Sequence, residues 1–279
     1  MESHVESAIK ESFLYISKVM NWVVQLSPYI GNLSFLRNFT LQNNSFYGQI
    51  PQQVGLLFRL QNLLLTNSTL GGEIPVNLTK CSKLRIIGIY GNKLTGEIPK
   101  EIGSLKNLEG LHFRRNKLTG TIPHSLGNLI ITQYIYVAEN NFIGSILDEI
   151  GDLKNLLVLD FANNKFYGKL PPSLHNLSSV ITLSFQYNQI EGVLPNKIGD
   201  NFRNLQDLAF AYNKIYGTIL TSLSNISKLQ LIDIPSNKFT GQVPVSLGKL
   251  QNLRWLGLLD NNFRNNSARD LRFLTSLAN

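Results

Sequence analysis

One periodicity governs this chain of 279 residues. Taking Leu108–Pro123 (LEGLHFRRNKLTGTIP) as the unit, the pattern is L-x-x-L-x-L-x-x-N-x-L-x-G-x-I-P. Its Asn column reads Asn44, Ser68, Asn92, Asn116, Asn140, Asn164, Asn188, Asn213, Asn237 and Asn261. The steps are of 24 residues, with one of 25 between Asn188 and Asn213. A Gly follows four residues later in nine copies (Gly48, Gly72, Gly96, Gly120, Gly144, Gly168, Gly192, Gly217 and Gly241), and Asn265 takes its place in the tenth. A repeat this long is one small unit that buries its apolar face only against its neighbours, so the fold must be a stack.

Each column has a physical job. Leu111 and Phe113 alternate with small or polar residues, as a short strand with one buried face requires. Leu108, Leu118 and Ile122 complete the inward set. A buried Asn116 amide both donates to and accepts from the backbone of a turn. Ser68 does only part of this, so the second copy is the weak rung. The Gly suits a conformation or approach that a Cβ disfavours. The Pro column (Pro51, Pro75, Pro99, Pro123, Pro171, Pro195, Pro244) suggests a short edge segment, with Leu147 and Leu220 replacing it in two copies. This spacing is the signature of a leucine-rich-repeat solenoid: an α/β horseshoe of about ten repeats. Parallel strands form its concave face, with 3-10 helices and short second strands on the convex side.

The half-repeat GEIPKEIGSLKNL, from Gly96, resembles the plant-specific leucine-rich repeat of receptor-like kinases and receptor-like proteins. The resemblance runs from about Leu26 to the C-terminus. The closing stretch from Asn261, NNFRNNSARDLRFLTSLAN, is similar to the large pattern-recognition receptor kinase subfamily. The resemblance implies a fragment of a plasma-membrane receptor ectodomain in plant defence signalling. It also implies a peptide or protein ligand, a second leucine-rich-repeat ectodomain as co-receptor, and membrane attachment only through parts outside this chain. The alternative is a free-standing secreted interaction or inhibitor protein.

Residues 1–25 do not repeat. Ile9, Phe13, Ile16, Met20 and Val24 recur at helical spacing, which predicts an amphipathic helix capping the solenoid that occupies 26–279. The extra residue near Gly199–Phe202 reads as a minor insertion on the outer face. Thr132 stands where Leu is expected. The single cysteine, Cys81, excludes an intrachain disulfide and reads as a packed thiol on the convex side. Its relatives' flanking cysteine-bearing caps are missing, which points to truncation. No run approaches the ~20 apolar residues of a membrane span, and acidic Glu2, Glu6 and Glu11 make a poor secretion signal.

No catalytic constellation is present. His4, His112, His124 and His175 share no ligand spacing, so no metal or other cofactor is expected. No two glycines are separated by one residue, which excludes the dinucleotide fingerprint and the kinase phosphate loop. The net charge of +8 raises an anionic partner, but the lysines are scattered and a nucleic acid is not expected.

The outward residues of the strands form aligned columns, and aromatic and charged side chains gather in repeats three to eight. Tyr90, His112, Arg114, Arg115, Tyr134, Tyr136, Glu139, Asp160, Tyr187 and Tyr212 are therefore the candidate ligand surface, since Tyr and Arg dominate binding hot spots. Arg114 and Arg115 suit a peptide carboxylate, although aromatics on a sheet also simply pack on each other. Eight sequons (Asn32, Asn38, Asn43, Asn67, Asn77, Asn176, Asn225, Asn265) suggest glycosylation. Three of them, Asn38, Asn43 and Asn67, fall on the first two concave strands, so glycans there would leave the patch from Tyr90 onward open.

Overall fold

The computed structural model describes residues 23–196, 198–263 and 272–277. Each coil runs through a three-residue strand, a turn at the ladder Asn, a second short strand or extended segment, and a helical turn. The ten first strands are Asn38–Thr40, Asn62–Leu64, Ile86–Gly88, Gly110–His112, Tyr134–Tyr136, Val158–Asp160, Thr182–Ser184, Asp207–Ala209, Leu231–Asp233 and Trp255–Gly257. They form one ten-stranded parallel sheet in chain order. Register holds throughout: His112 pairs with Tyr136, Tyr136 with Asp160, and Asp160 with Ser184. A constant repeat length makes this possible, because a one-residue slip would turn every leucine to the outside.

The inward columns are buried as expected. Leu108, Leu111, Phe113, Leu118 and Ile122 are at most 2% exposed. From the fifth coil on, phenylalanines take over: Phe161 lies 5.0 Å from Phe166 and 5.7 Å from Phe185, which stacks at 5.2 Å on Phe210. Thr132, in a leucine position, is fully buried, and its hydroxyl donates to the Leu108 carbonyl at 2.6 Å.

The Asn ladder explains the invariance of the turn. The Asn116 amide donates to the carbonyls of Ile89 and Phe113 and accepts the Leu94 N–H at 3.0 Å. Each such carbonyl serves two rungs: Phe113 O takes Asn116 and Asn140, and Val137 O takes Asn140 and Asn164. The ladder runs in this way to Asn261. Ser68 breaks it. Its hydroxyl donates only to Asn44 O, so Leu65 O receives Asn92 alone.

The Gly following each rung has φ between 71° and 92° in all nine copies, the left-handed region where a Cβ is costly. The proline expectation is corrected. Pro51, Pro75, Pro99, Pro123, Pro171 and Pro244 are not strand residues but N-caps of 3-10 helices, with Leu147 and Leu220 in the same role. A fixed φ presets the extended cap, and the missing N–H is one that a helix start leaves unused anyway.

The insertion near Gly199 lies on the outer face and leaves the strand register intact. The added residue converts the 3-10 turn to an α-turn, Ile198–Asn201, in which Phe202 N–H reaches Ile198 O. Cys81 occupies a leucine column between Leu57 and Leu105. It is fully buried, its thiol donates to Val54 O at 3.3 Å, and burial pushes it up to about 11.

Second strands pair into a six-stranded parallel sheet over coils five to ten and a two-stranded one in coils one and two. Gln25 already bridges Tyr47. The capping helix expected over residues 1–25 falls almost wholly on residues 1–22, outside the described residues, as do Arg264–Arg269 and Asn265. At the other end an α-helix, Arg272–Leu277, packs on the 3-10 helix Val245–Lys249 and buries Phe273.

Candidate functional site

Sheet register turns the sequence columns into rows of neighbours across strands. Thr40, Leu64, Gly88, His112, Tyr136, Asp160, Ser184, Ala209, Asp233 and Gly257 are successive Cα partners. Over coils four to six this brings most of the candidates together. The His112 ring lies 4.9 Å from Tyr136, and Tyr136 stacks 6.5 Å from Tyr134. Burial holds the His112 imidazole down to about 4, so it is neutral at pH 7. Burial, then Tyr134 and Asp160, push the Tyr136 phenol up. Asp160 accepts from Ser184 Oγ at 2.7 Å and from Ala162 N–H at 3.2 Å, while burial pushes its carboxyl up.

Beside this aromatic group lies a charged one. Arg114 Nε donates to Glu139 Oε1 at 2.8 Å, and Arg115 Nε donates to Glu139 Oε2 at 2.8 Å. Burial pushes the Glu139 carboxyl up, but Arg115 and Arg114 reverse this and leave it below the usual carboxylate range. The carboxylate that the two arginines hold is thus the chain's own. The arginine side chains are 48% and 64% exposed, so water screens both pairs and neither arginine is committed to Glu139.

Of the remaining candidates, Tyr90 lies on the neighbouring coil close to Arg115, while Tyr187 and Tyr212 form a pair of their own. Tyr187 and Tyr212 stack at 4.3 Å and are about half exposed. Tyr90 accepts from the Asn67 amide at 3.2 Å, and Asn67 also donates to Asn43 Oδ1. Asn38 accepts from Asn62 on the next strand. The sequon expectation is corrected: Asn38 is a strand residue, but Asn43 and Asn67 lie in the turns after the first two strands. Asn67 touches Tyr90, so a glycan there would reach the edge of the patch instead of leaving all of it open. Asn32, Asn77, Asn176 and Asn225 lie on 3-10 helices.

Two features of this surface escaped the sequence reading. Arg115, Glu139, Tyr187 and Tyr212 share left-handed backbone (φ 54–56°) with Asn43, Asn67, Asn163, Ser236 and Asp260, all one residue before the ladder. The signal was present: Asn, Asp and Gly recur in that column and tolerate this conformation. Trp255, 58% exposed with its indole N–H on Asp233 Oδ1 at 3.2 Å, extends the aromatic surface to coil ten. It belongs to the column of Tyr134, which shows the same period.

Comparisons with known proteins agree with this architecture. The family model described as Leucine Rich Repeat matches residues 83–105, 107–129 and 155–177. No curated protein matches the sequence significantly. Among solved structures, the plant peptide hormone receptor RGFR1 in complex with RGF2 is 34% identical over 86% of this chain and 38% of its own, at a TM-score of 0.84. A TDR receptor is 28% identical over 89% of this chain and 51% of its own, at 0.74. A plant ice-binding protein is 25% identical over 88% of this chain and 81% of its own, at 0.76. The chain thus spans between about a third and a half of the two receptor chains. The fold is a leucine-rich-repeat solenoid, similar to those of the plant receptor ectodomains.

Proposed function

We propose that the concave sheet of coils three to eight binds a peptide or protein, and that the chain is the recognition part of a plant cell-surface receptor of the innate-immunity type. In that setting the kinase and membrane-spanning parts lie elsewhere in the protein, a second leucine-rich-repeat ectodomain serves as co-receptor, and the sequons carry glycans in the extracellular space. The observation that carries this reading is the Arg114–Glu139–Arg115 cluster beside the His112–Tyr136–Tyr134 rings on one uninterrupted sheet. Two arginines share one carboxylate, leaving donors for a second. Adjacent rings supply contact area at low entropic cost. The likeness to a peptide hormone receptor solved as a complex supports the same ligand class.

Peptides selected on the chain from a random display library test this. Arg114→Ala with Arg115→Ala weakens those binders tenfold or more, a loss of about 1.4 kcal/mol. Unchanged affinity refutes the assignment. A second reading, a free-standing interaction protein, draws on the ice-binding protein, of whose length the chain covers 81%. A transcript that continues into a membrane span and kinase selects the receptor, and a stop after Asn279 selects the free module.

A further inference from the structure

The outer face of the first two coils departs from the rest of the stack. Tyr29, Phe35, Leu56 and Phe58 are each more than half exposed there. They occupy columns on or just after the 3-10 helices that are polar in almost every other coil. The Leu56 column reads Lys80, Ser104, Asn128 and Asp152 in the next four coils. Beyond coil two, the columns of Phe35 and Phe58 are apolar only at Ile131 and Ile130, both in coil five. The 3-10 helices Pro28–Asn32 and Gln52–Leu56 pack on each other, and Leu56 leans over Gly31, where an added Cβ would meet its Cδ1 at 2.9 Å. Arg59 lies over the Phe58 ring at 5.8 Å. Arg37 and Arg59 are exposed and enter none of the four ion pairs found among the described residues. No acidic residue occurs between Leu26 and Gly72. An exposed apolar patch rimmed by charge of one sign marks an interaction surface.

We propose that this patch is the seat of the chain's own residues 1–22, which lie across coils one and two with Ile9, Phe13, Ile16 and Met20 against Tyr29, Phe35, Leu56 and Phe58. Residues 1–22 are outside the described residues and join coil one at Val23, just before Gln25 bridges Tyr47. Steps of four and three residues set the four apolar side chains on one side of a helix, and the same steps carried back from Ile9 reach Glu6 and Glu2. The apolar side therefore ends in two carboxylates, which match Arg37 and Arg59, while Glu11 and Lys18 fall on the opposite side. Length is sufficient: a helix over residues 1–22 measures about 33 Å, and successive coils lie only about 4.8 Å apart. Covalent attachment at Val23 holds this segment at an effective concentration that a second copy does not reach at working dilution, which sets it ahead of a dimer contact.

Photo-crosslinking of the full chain tests this. In Phe58→p-benzoylphenylalanine, irradiation is expected to link residue 58 to the tryptic peptide Glu11–Lys18 of the same molecule. Ile130→p-benzoylphenylalanine, an exposed apolar position on coil five, gives no such link. Phe13→Ser with Ile16→Ser abolishes the link and raises the fluorescence of an added hydrophobic dye at least twofold, with the far-UV circular dichroism of the solenoid retained. Adding Phe35→Ser and Phe58→Ser to that pair cancels most of the rise, because the uncovered patch is then polar. Mixtures of isotope-labelled and unlabelled chains separate links within one copy from links between copies. No link to residues 11–18, links only between copies, an equal link from residue 130, or dye fluorescence unmoved by Phe13→Ser with Ile16→Ser overturns the proposal.

Discussion

Replacing Asn140 by Asp is the sharpest test of why these coils stack. The Asn140 amide nitrogen donates to Phe113 O and Val137 O at 3.0 Å and to Ala138 O at 3.1 Å, while its oxygen accepts the Leu118 N–H at 3.0 Å. The residue is 9% exposed. In Asn140→Ala, Phe113 O keeps Asn116 and Val137 O keeps Asn164, so the main cost is the orphaned Leu118 N–H. That cost is about 1–3 kcal/mol, with about 1 kcal/mol more from the lost donors. Asn140→Asp has the same shape but sets an oxygen against three carbonyl oxygens and buries an unpaired charge, so it costs about 3–5 kcal/mol at pH 7. The Asp carboxyl is thereby raised in the folded state, so the variant regains stability as pH falls through that raised value and the group again donates. Urea unfolding followed by far-UV circular dichroism, with the slope held in common, measures both variants. An Asp variant as stable as wild type, or more stable than the Ala variant at pH 7, would show that the amide's donors do not hold the coils.

Three further outcomes follow from named contacts. Ser68→Asn restores the broken rung and raises stability by about 1 kcal/mol in the same urea assay, through bonds that neighbouring rungs already make. Cys81 resists alkylation in the folded chain at pH 8. Its folded value of about 11 lies above the unfolded one, so its contribution is whole below about 9 and is lost as pH climbs toward 11, a loss that Cys81→Leu abolishes. His112 behaves oppositely: with a folded value near 4, the unfolded chain takes up the proton first, so stability falls as pH drops from about 6.5 toward 4, and His112→Gln flattens that slope.

Nearly all of the stacking was legible from one 24-residue column, because a ladder Asn and an inward Leu leave the same trace in every coil. Features set by backbone rather than side-chain identity were harder to see. Proline was read as an edge-strand residue because its missing donor fits that role, whereas its fixed φ starts the 3-10 turn at Pro99 and Pro123. A second glycine column went unread. Gly103 and Gly151 sit where a Cβ would come within 2.2 and 2.4 Å of a carbonyl oxygen on the next coil, which sets how closely the 3-10 segments approach. On the candidate surface, the columns predicted which side chains align. They did not predict that Glu139 would occupy both arginines, since that depends on the left-handed backbone at residues 115 and 139.

Mapping the contact surface in solution asks most directly whether the inner sheet recognises a ligand. Hydrogen exchange of the full chain, with and without a library-selected peptide, compares protection coil by coil. Slowed exchange confined to the strands and turns of coils three to eight, centred on Gly110–His112 and Tyr134–Tyr136, is the predicted result. Protection confined to the 3-10 helices, with those strands unchanged, would contradict it.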